Sequence, residues 1–212
     1  KRQVRTEVVK YLQEGDAYIR NLQLDYFWSP FQNFYGKLSV GLLESMYGGA
    51  GIEMAYKPFY KNYIFSIDAY RVKKRDYDQR LDFRFYETTT AHLNFTYHFK
   101  PINIYANISY GRYLAKDDGY TLDLARRTKS GFLAGVYFTR TNVPARIFGE
   151  GSFDKGWYFL FPLSMFSKKY SKQMTSFGLR PLTRDGAVYL VHAHHLYGVT
   201  DQGVLSHSTR DW

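Results

Sequence analysis

The sequence predicts an all-β fold, an antiparallel up-and-down transmembrane β-barrel of about 12 strands. Three observations predict it. Apolar and polar residues alternate along most of the 212-residue chain, aromatic residues make up 19% of it, and short and long connections alternate between the segments. Alternation with period two is typical of strands, because successive side chains point to opposite faces of a sheet. A barrel crosses a membrane with strands of only about 9–11 residues.

The alternation is clearest in two neighbouring segments. Between Ile102 and Tyr110 one face is apolar and the other carries Asn, Tyr and Ser, and between His92 and Phe99 the same division recurs. No amphipathic helix is expected, and the chain is predicted to form a single barrel domain over residues 1–212. The expected strands are 1–13, 16–28, 35–44, 49–57, 63–73, 83–99, 102–114, 119–127, 131–141, 154–163, 174–182 and 187–198.

The connections between these segments form two sets. One set is short and marked by Pro or aromatic residues, at 29–33, 58–62, 99–101 and 127–130. The other set contains the two longest loops and most of the Asp residues outside the strands, and lies at 14–16, 45–48, 73–82, 115–119, 141–155 and 182–186. Alternate connections of an up-and-down sheet lie at opposite ends, as in transmembrane barrels. We call these the turn end and the loop end, and a twelve-strand barrel would place both termini at the turn end.

Composition limits the classes of function. The net charge of +10 points to an acidic partner, such as nucleic acid, anionic lipid or acidic polysaccharide. The basic residues do not cluster on one element, so no nucleic-acid partner is expected. The chain has no cysteine, which excludes disulfides and thiolate metal sites. No run reaches the roughly 18 apolar residues of a membrane-spanning helix.

A water-soluble β-sandwich or lipocalin-like barrel is the alternative fold, because alternation by itself does not distinguish inside from outside. Three features favour the membrane barrel. The polar face carries mostly small uncharged residues, aromatic residues gather at strand ends as in interfacial girdles, and the aromatic content is high for a water-soluble core. In the alternative, the chain would be a soluble carbohydrate-binding domain.

Five stretches in order resemble the C-terminal part of a known family. They are GDAYIRNLQLDYFWSPFQNFYGKLSVGLLESMYGGAG (15–51), VKKRDYDQR (72–80), GRYLAKDDG (111–119), FGEGSFDKGWYFLFPL (148–163) and RPLTRDG (180–186). Together they resemble the YjbH/GfcD family of exopolysaccharide and capsule biosynthesis proteins. The resemblance implies an outer-membrane barrel of Gram-negative bacteria that helps to export or assemble an extracellular polysaccharide. It also implies periplasmic and lipoprotein partners, and that this chain is part of a longer protein.

With that resemblance, basic and aromatic residues become candidates for contact with an acidic polysaccharide inside the barrel. Cations attract an acidic polymer, and aromatic rings offer stacking surfaces to sugars. The candidates are Lys37, Arg75, Arg80, Arg112, Arg127, Arg180, Tyr105 and Tyr137. Outer-membrane lipid is the second expected partner.

Two loop motifs carry further charge. The loop KKRDYDQR (73–80) is either a selectivity or docking element for an anionic glycan, or a solvated loop in which Asp76 or Asp78 pairs with Arg75 or Arg80. In GEGSFDKG (149–156) the glycines indicate a tight loop. Its charged residues are Glu150, Asp154 and Lys155. Two carboxylates are too few for a calcium site, so a structural role is expected.

The segment VHAHH (191–195) is the one cluster that resembles a metal site, but two histidines need further ligands to hold zinc. No metal or other cofactor is therefore expected. A lipid or glycan hydrolase carried by the barrel is the enzymatic alternative, and it requires His192 or His194 to contact a Ser or Asp. The resemblance supplies no catalytic residue, so we expect a protein that is not an enzyme.

Overall fold

The computed structural model describes residues 4–14, 18–128, 130–144, 154–162, 174–179, 185–191 and 195–196. A short helix, α1 (Val8–Glu14), precedes the strands, and one 3-10 turn (Lys100–Ile102) interrupts them. The strands are β1 (Leu22–Trp28), β2 (Phe34–Leu42), β3 (Tyr47–Tyr56), β4 (Tyr63–Arg75), β5 (Phe83–Phe99), β6 (Ile104–Arg112), β7 (Asp118–Arg127), β8 (Leu133–Thr141), β9 (Asp154–Pro162) and β10 (Met174–Leu179).

The ten strands form one antiparallel sheet in which each strand pairs with its neighbours in the chain. Within the described residues β1 and β10 do not pair with each other, so the sheet is open. The predicted all-β up-and-down fold is confirmed. Among the helices that the described ranges contain, none is long and apolar enough to cross a membrane.

Two tight turns at the turn end contain an asparagine in the left-handed backbone conformation. Asn33 between β1 and β2 has φ 68°, and Asn103 between β5 and β6 has φ 52°. Asparagine tolerates this conformation better than most residues because its side chain bonds locally. Here the Asn103 amide donates to the carbonyl oxygen of Arg127 at 2.8 Å, which joins two neighbouring turns.

Two predicted strands are wrong. Residues 8–13 of the expected strand 1–13 belong to α1, and the described residues 187–191 of the expected strand 187–198 lie outside the sheet. Both segments instead pack against the face of the sheet that carries the buried polar side chains, which we call the concave face. The opposite face is called the convex face. The Tyr11 hydroxyl donates to the carbonyl oxygen of Arg75 at 2.6 Å. The backbone N–H of Leu114 donates to the carbonyl oxygen of Val188 at 3.0 Å. These contacts are tertiary and leave no trace in local periodicity.

The same contacts correct the expected position of the N-terminal segment. Val4 and Val188 belong to a buried cluster with Leu43, Met46 and Leu114, which lie in or beside the loop-end connections. Segment 4–14 therefore lies at the loop end along its whole described length, whereas an expected strand over 1–13 begins at the turn end. Segment 185–191 also lies at the loop end, where the predicted connection 182–186 belongs. The largest apolar cluster of the described residues sits there, between these segments and the concave face.

The two faces of the sheet differ sharply in polarity. The convex face carries large apolar side chains that are exposed, such as Leu24 (71%), Leu93 (59%) and Val136 (55%). The concave face carries buried polar side chains. Among them are Lys37, Ser39, Glu53, Thr88, Thr90, His92, Thr96, Asn107, Ser109, Thr121, Asp123 and Thr139.

Two glycines explain how bulky aromatic rings fit on the curved face. Gly51 lies opposite Tyr70, and a Cβ at Gly51 would come within 2.1 Å of the ring. Gly156 lies opposite Tyr137, and a Cβ there would come within 2.7 Å of the ring and its hydroxyl. Because glycine has no side chain, its backbone would otherwise be exposed, and the ring of the neighbouring tyrosine covers it. These tyrosines therefore lie against the concave wall.

Candidate functional site: the polar concave face

A buried ion pair lies on the β2–β4 part of the concave face. The Lys37 ammonium donates to Glu53 Oε1 at 2.9 Å, and the Lys37 side chain is fully buried. Tyr70 donates its hydroxyl proton to the same oxygen at 2.7 Å. A buried charge is stable only when a partner and hydrogen bonds compensate it. The three groups form one unit in which the charge of Lys37 is neutralised.

A second polar group continues on β4–β6. Asp68 lies 3.1 Å from His92 Nδ1 and accepts a hydrogen bond of 3.1 Å from the amide of Asn94. Ser109 donates to the other side of the Asn94 amide. Asp68 belongs to β4, His92 and Asn94 belong to β5, and Ser109 belongs to β6, so the network ties three strands together across the concave face.

The network extends to β9. Thr121 and Thr139 hydroxyls are 2.7 Å apart, and the Tyr113 hydroxyl lies 2.7 Å from Thr121. Tyr158 of β9 donates to Asp123 of β7 at 2.9 Å. Polar side chains at alternate positions of β2 to β9 therefore form a nearly continuous hydrogen-bonded lining. Such a lining suits an interior that holds water or sugar hydroxyls.

The Asp68–His92 pair resembles part of a catalytic triad but lacks a nucleophile among the described residues. His92 Nε2 is buried without a hydrogen-bond partner there, and the rings of Tyr113 and Tyr189 pack against the imidazole at 5.0 and 4.6 Å. His192 and His194 lie outside the described residues. His195 Nδ1 lies 3.8 Å from Glu53. The described ranges contain no group of three side chains placed to hold a metal ion.

Asp185 joins the N-terminal segment to the C-terminal one. Its Oδ1 accepts hydrogen bonds from the backbone N–H groups of Val4, Arg5 and Thr6, at 2.9, 2.9 and 3.1 Å. Its Oδ2 accepts a bond of 3.0 Å from the Thr6 hydroxyl. Charge-assisted bonds of this kind are stronger than neutral ones. One carboxylate therefore holds two segments that are far apart in the chain.

Carboxylates of the sheet and its loops hold the C-terminal segment along the concave face. Asp117 accepts from the backbone N–H of Ala187 at 2.8 Å, and Glu44 accepts from that of Val191 at 3.2 Å. Glu53 accepts from the N–H of Leu196 at 2.6 Å. Burial raises the pKa of the Asp117 carboxyl above its ordinary value. The segment therefore runs from the loop end into the middle of the face.

Glu7, the residue before helix α1, fastens the N-terminal segment to β4 and to the loop that follows it. The Glu7 carboxylate accepts from the Lys74 ammonium at 2.6 Å and from the Tyr77 hydroxyl at 2.8 Å. Burial opposes ionisation of Glu7, but the hydrogen bonds and charge of its partners outweigh it and lower its pKa from 4.5 to about 2. The N-terminal segment thus depends on an ionised carboxylate.

Acidification is expected to weaken this contact. Because the pKa of folded Glu7 is depressed, its contribution to stability is complete above pH 4.5 and is lost as the pH falls through about 2. The stability difference between wild type and Glu7→Gln, measured by denaturant unfolding, should therefore shrink over that interval. Glu14→Gln, at the exposed end of α1, is the matched control. A difference independent of pH would contradict the proposed role of the Glu7 charge.

Four of the predicted polysaccharide-facing residues lie on the concave face. Lys37 is paired with Glu53, and Arg127 extends from the turn end of β7. Tyr105 stacks on His98 with ring centres 4.1 Å apart, and Tyr137 packs in a buried cluster with Leu160 and other residues. Contact of any of them with a glycan stays a prediction.

The charged loop of β4–β5 is built around Arg75. Its buried guanidinium donates to the carbonyl oxygens of Ile19 and Glu44, both at 2.8 Å, and to those of Gln79 and Arg80. This geometry gives Arg75 a structural role in holding the loop. It leaves the side chain buried, away from any polymer in the interior.

The loop carboxylates also bond locally. Asp76 accepts from Arg84 at 3.4 Å, and Asp78 accepts from the backbone N–H of Arg80 at 3.1 Å. In the described loop these carboxylates therefore bond to groups other than the side chains of Arg75 and Arg80, which one of the two predictions named. The partner of Asp76 comes from the first residues of β5 instead.

Arg112 lies on the convex face, which corrects its predicted position inside the barrel. It shares strand parity with Tyr110 and bonds Asp118 of β7 at 2.8 and 3.1 Å. Lys155 is also on the convex face, opposite Phe138, and Asp154 is at the start of β9. Arg180 and Glu150 lie outside the described residues.

The carboxylates that organise the site were not among the sequence candidates. Glu44, Glu53 and Asp185 each join segments that are distant in the chain. Glu53 had one usable signal, because it is a charged residue on the polar side of an alternating strand. Glu44 and Asp185 lie outside the strands, so strand alternation gives no signal for them.

Comparisons with known proteins identify the family of this chain. A family model described as exopolysaccharide biosynthesis protein YbjH matches residues 1–202. The uncharacterized lipoprotein YjbH of Escherichia coli strain K12 is 41% identical over 203 residues, which cover 93% of this chain and 29% of that protein. The chain thus spans less than a third of that relative, and no match was found among solved structures. The chain belongs to the YjbH family of exopolysaccharide biosynthesis proteins.

Proposed function

We propose that this chain is part of an outer-membrane β-barrel that takes part in the export or assembly of exopolysaccharide or capsular polysaccharide, as a conduit or as a scaffold. The observation that carries the proposal is the polarity of the sheet. Its convex face is apolar and exposed, and its concave face is polar and buried. This is the arrangement of a barrel in lipid and the reverse of a water-soluble one.

The exposed apolar area supports lipid as the surroundings of the convex face. Large apolar side chains follow one another across most strands, and contiguous apolar surface of this kind is rare on soluble monomers. A soluble carbohydrate-binding domain would bury these side chains and present the polar ones to water. The described residues have the opposite distribution, which favours the barrel over that alternative.

Closure of the barrel is part of the proposal. Unpaired backbone groups cost several kcal/mol each in hydrocarbon, so sheets in membranes close on themselves. The free edges of β1 and β10 would pair with further strands, to give a barrel of about twelve.

The concave lining supports a sugar-handling role without catalysis. Its hydroxyl, amide and carboxylate groups can bond to sugar hydroxyls, and Arg127 adds a cation for an acidic polymer. Helix α1 and the C-terminal segment lie across the loop end. A conduit would have to release these segments, whereas a scaffold for periplasmic and lipoprotein partners would not. In neither role does the protein act as an enzyme.

Fractionation and gel mobility test the membrane proposal first. The full-length protein, expressed in a Gram-negative host, is expected in the outer-membrane fraction. Its unboiled form should migrate differently from the boiled form, because a closed barrel resists detergent. A protein that stays soluble in the periplasm and shows no shift would overturn the proposal.

Two adjacent arginines test the polysaccharide contact. Arg127→Glu reverses a charge on the concave face, and Arg126→Glu reverses one on the convex face of the same strand. Secretion of an acidic polysaccharide is expected to fall by up to about tenfold in the first variant, since charge in a confined site concentrates the polymer. The second variant should secrete nearly normally. Equal secretion by both would remove Arg127 from the proposed path.

A further inference from the structure

Two neighbouring turns at the turn end carry aromatic side chains that are largely exposed. Phe31 lies between β1 and β2 and is 73% exposed, and Phe59 and Tyr60 lie between β3 and β4 and are 72% and 90% exposed. A single exposed aromatic residue is ordinary, but a group of them on adjacent turns forms a patch of the kind that binds partners. These three residues are therefore candidates for a binding surface.

Asn33 holds these two turns together. Its backbone carbonyl oxygen accepts from the N–H of Lys57 at 2.9 Å, and its side-chain Oδ1 accepts from the N–H of Phe59 at 3.1 Å. The rings of Phe59 and Tyr60 also meet edge to face, with centres 4.8 Å apart. A surface that is held in place before binding loses little conformational freedom when a ligand arrives. The aromatic side chains are therefore carried by a preorganised backbone.

Two lysines lie beside these aromatic residues. Lys61 follows Tyr60 in the chain, and Lys100 lies in the turn between β5 and β6. A hydrogen bond of 2.7 Å from the His98 N–H to the carbonyl oxygen of Asn62 joins β5 to the turn that carries Lys61. Both lysines are exposed. We call the following residues the turn-end platform: Phe31, Phe59, Tyr60, Lys61 and Lys100.

The two ends of the sheet differ in the charge of their connections. No Asp or Glu occurs in the sequence of the turn-end connections 29–33, 57–62, 100–103 and 128–132. At the loop end, the connection after β2 contains Glu44, the one after β4 contains three Asp residues, and the one after β6 contains Asp117. Carboxylates repel an anion and ammonium groups attract it. An anionic ligand is therefore favoured at the turn end.

We infer that the turn-end platform captures an acidic polysaccharide before it enters the interior, with sugar rings on the aromatic side chains and anionic groups on the two lysines. A pyranose ring has an apolar face of C–H groups that packs on an aromatic ring, and its carboxylates suit exposed ammonium groups. In outer-membrane barrels the short turns face the periplasm. The inference rests on the proposed function and adds the surface on which the polymer first binds.

Lipid is the other partner with chemistry that these side chains fit. Aromatic pairs near the strand ends, such as Phe65–Phe95 with ring centres 4.7 Å apart, already supply side chains that suit a bilayer interface. Phe59 and Tyr60 are three and four residues beyond the end of β3 at Tyr56. Their position in the turn, past the strand ends, favours a glycan in the periplasm over a lipid.

Binding of defined polymers tests the inference. The full-length protein is placed in nanodiscs of phosphatidylcholine, a lipid without net charge, and three probes are added at low salt. Oligogalacturonate has a carboxylate on every sugar ring, maltodextrin has rings without charge, and polyphosphate has charge without rings. Oligogalacturonate is expected to bind more tightly than either of the others, because it alone uses both parts of the turn-end platform.

The aromatic part is tested by F59A/Y60A. This variant is expected to bind oligogalacturonate about tenfold more weakly, at roughly threefold for each lost ring. The matched control is F85A, which removes a fully exposed aromatic ring near the loop end of β5 and should bind like wild type.

The cationic part is tested by K61Q/K100Q. This variant is expected to bind oligogalacturonate about fivefold more weakly at low salt, and the difference from wild type should shrink as salt screens the charges. The matched control is K73Q, which removes an exposed lysine near the loop end of β4 and should bind like wild type.

Each outcome separates this inference from the membrane proposal. Heat-modifiable migration of the variants shows that they fold, so weaker binding then reports on the turn-end platform. Unchanged binding by F59A/Y60A, or equal affinity of the wild type for polyphosphate, would overturn the glycan surface and leave the barrel intact. If F59A/Y60A failed to insert while K61Q/K100Q inserted and bound normally, the aromatic residues would be lipid anchors and the inference would fail. A wild type that stayed soluble would contradict the barrel, and the same comparison in buffer would still decide the platform.

Discussion

Replacing Val136 by arginine is expected to lower the free energy of unfolding by about 2–4 kcal/mol if the convex face lies in lipid. Val136 is 55% exposed near the middle of β8. An arginine at such an exposed site on a protein in water would change stability by no more than about 0.5 kcal/mol. The measurement is reversible unfolding by denaturant in lipid vesicles, compared between Val136→Arg and wild type.

Val136→Ala is the matched control, because it removes side-chain volume without adding charge. It should cost much less than the arginine. A second comparison uses Leu124→Arg, which changes the facing position on β7 of the same strand pair. If both arginine variants were as stable as the alanine variant, the convex face would not be in hydrocarbon and the proposed membrane location would fail.

Replacing Glu53 by leucine is expected to cost about 3–5 kcal/mol, because it removes the carboxylate whose charge compensates the buried ammonium of Lys37. The pair is 2.9 Å apart and the Lys37 side chain has no exposed surface. The substitution also removes the acceptor of the Tyr70 hydroxyl and of the Leu196 N–H. Unfolding by denaturant measures the loss, and protease cleavage of the C-terminal segment reports its release.

The double variant Lys37→Met/Glu53→Leu separates the charge from the other contacts. Removing both members of a buried pair is often much less costly than removing one. We expect the double variant to recover more than half of the stability that Glu53→Leu loses, while the C-terminal segment stays accessible to protease. A double variant as unstable as the single one would show that the lone Lys37 charge is not the cause.

The Glu53→Leu variant also bears on how a conduit would open. Glu53 belongs both to the wall of the concave face and to the set of carboxylates that hold the C-terminal segment. Release of that segment would clear part of the interior. If Glu53→Leu increased polysaccharide secretion in folded protein, the conduit would be favoured over the scaffold.

Strand identity and strand parity were readable from the sequence. The expected strand 83–99 coincides with β5, and the expected strands 63–73, 119–127 and 154–163 differ from β4, β7 and β9 by at most two residues at either end. Alternation reports directly which residues share a face. The same rule would have placed Arg112 with Tyr110 on the apolar side, so its assignment to the interior was an avoidable error.

What the sequence determined by itself is therefore the antiparallel meander, its two faces and its two kinds of connection, because each depends on residues that are close in the chain. The tertiary structure decided the rest. It turned residues 8–14 into a helix, drew the segment 185–191 onto the concave face, and paired Asp185 and Glu44 with the N-terminal segment. Those features depend on contacts between residues as many as 181 positions apart, which leave no local pattern.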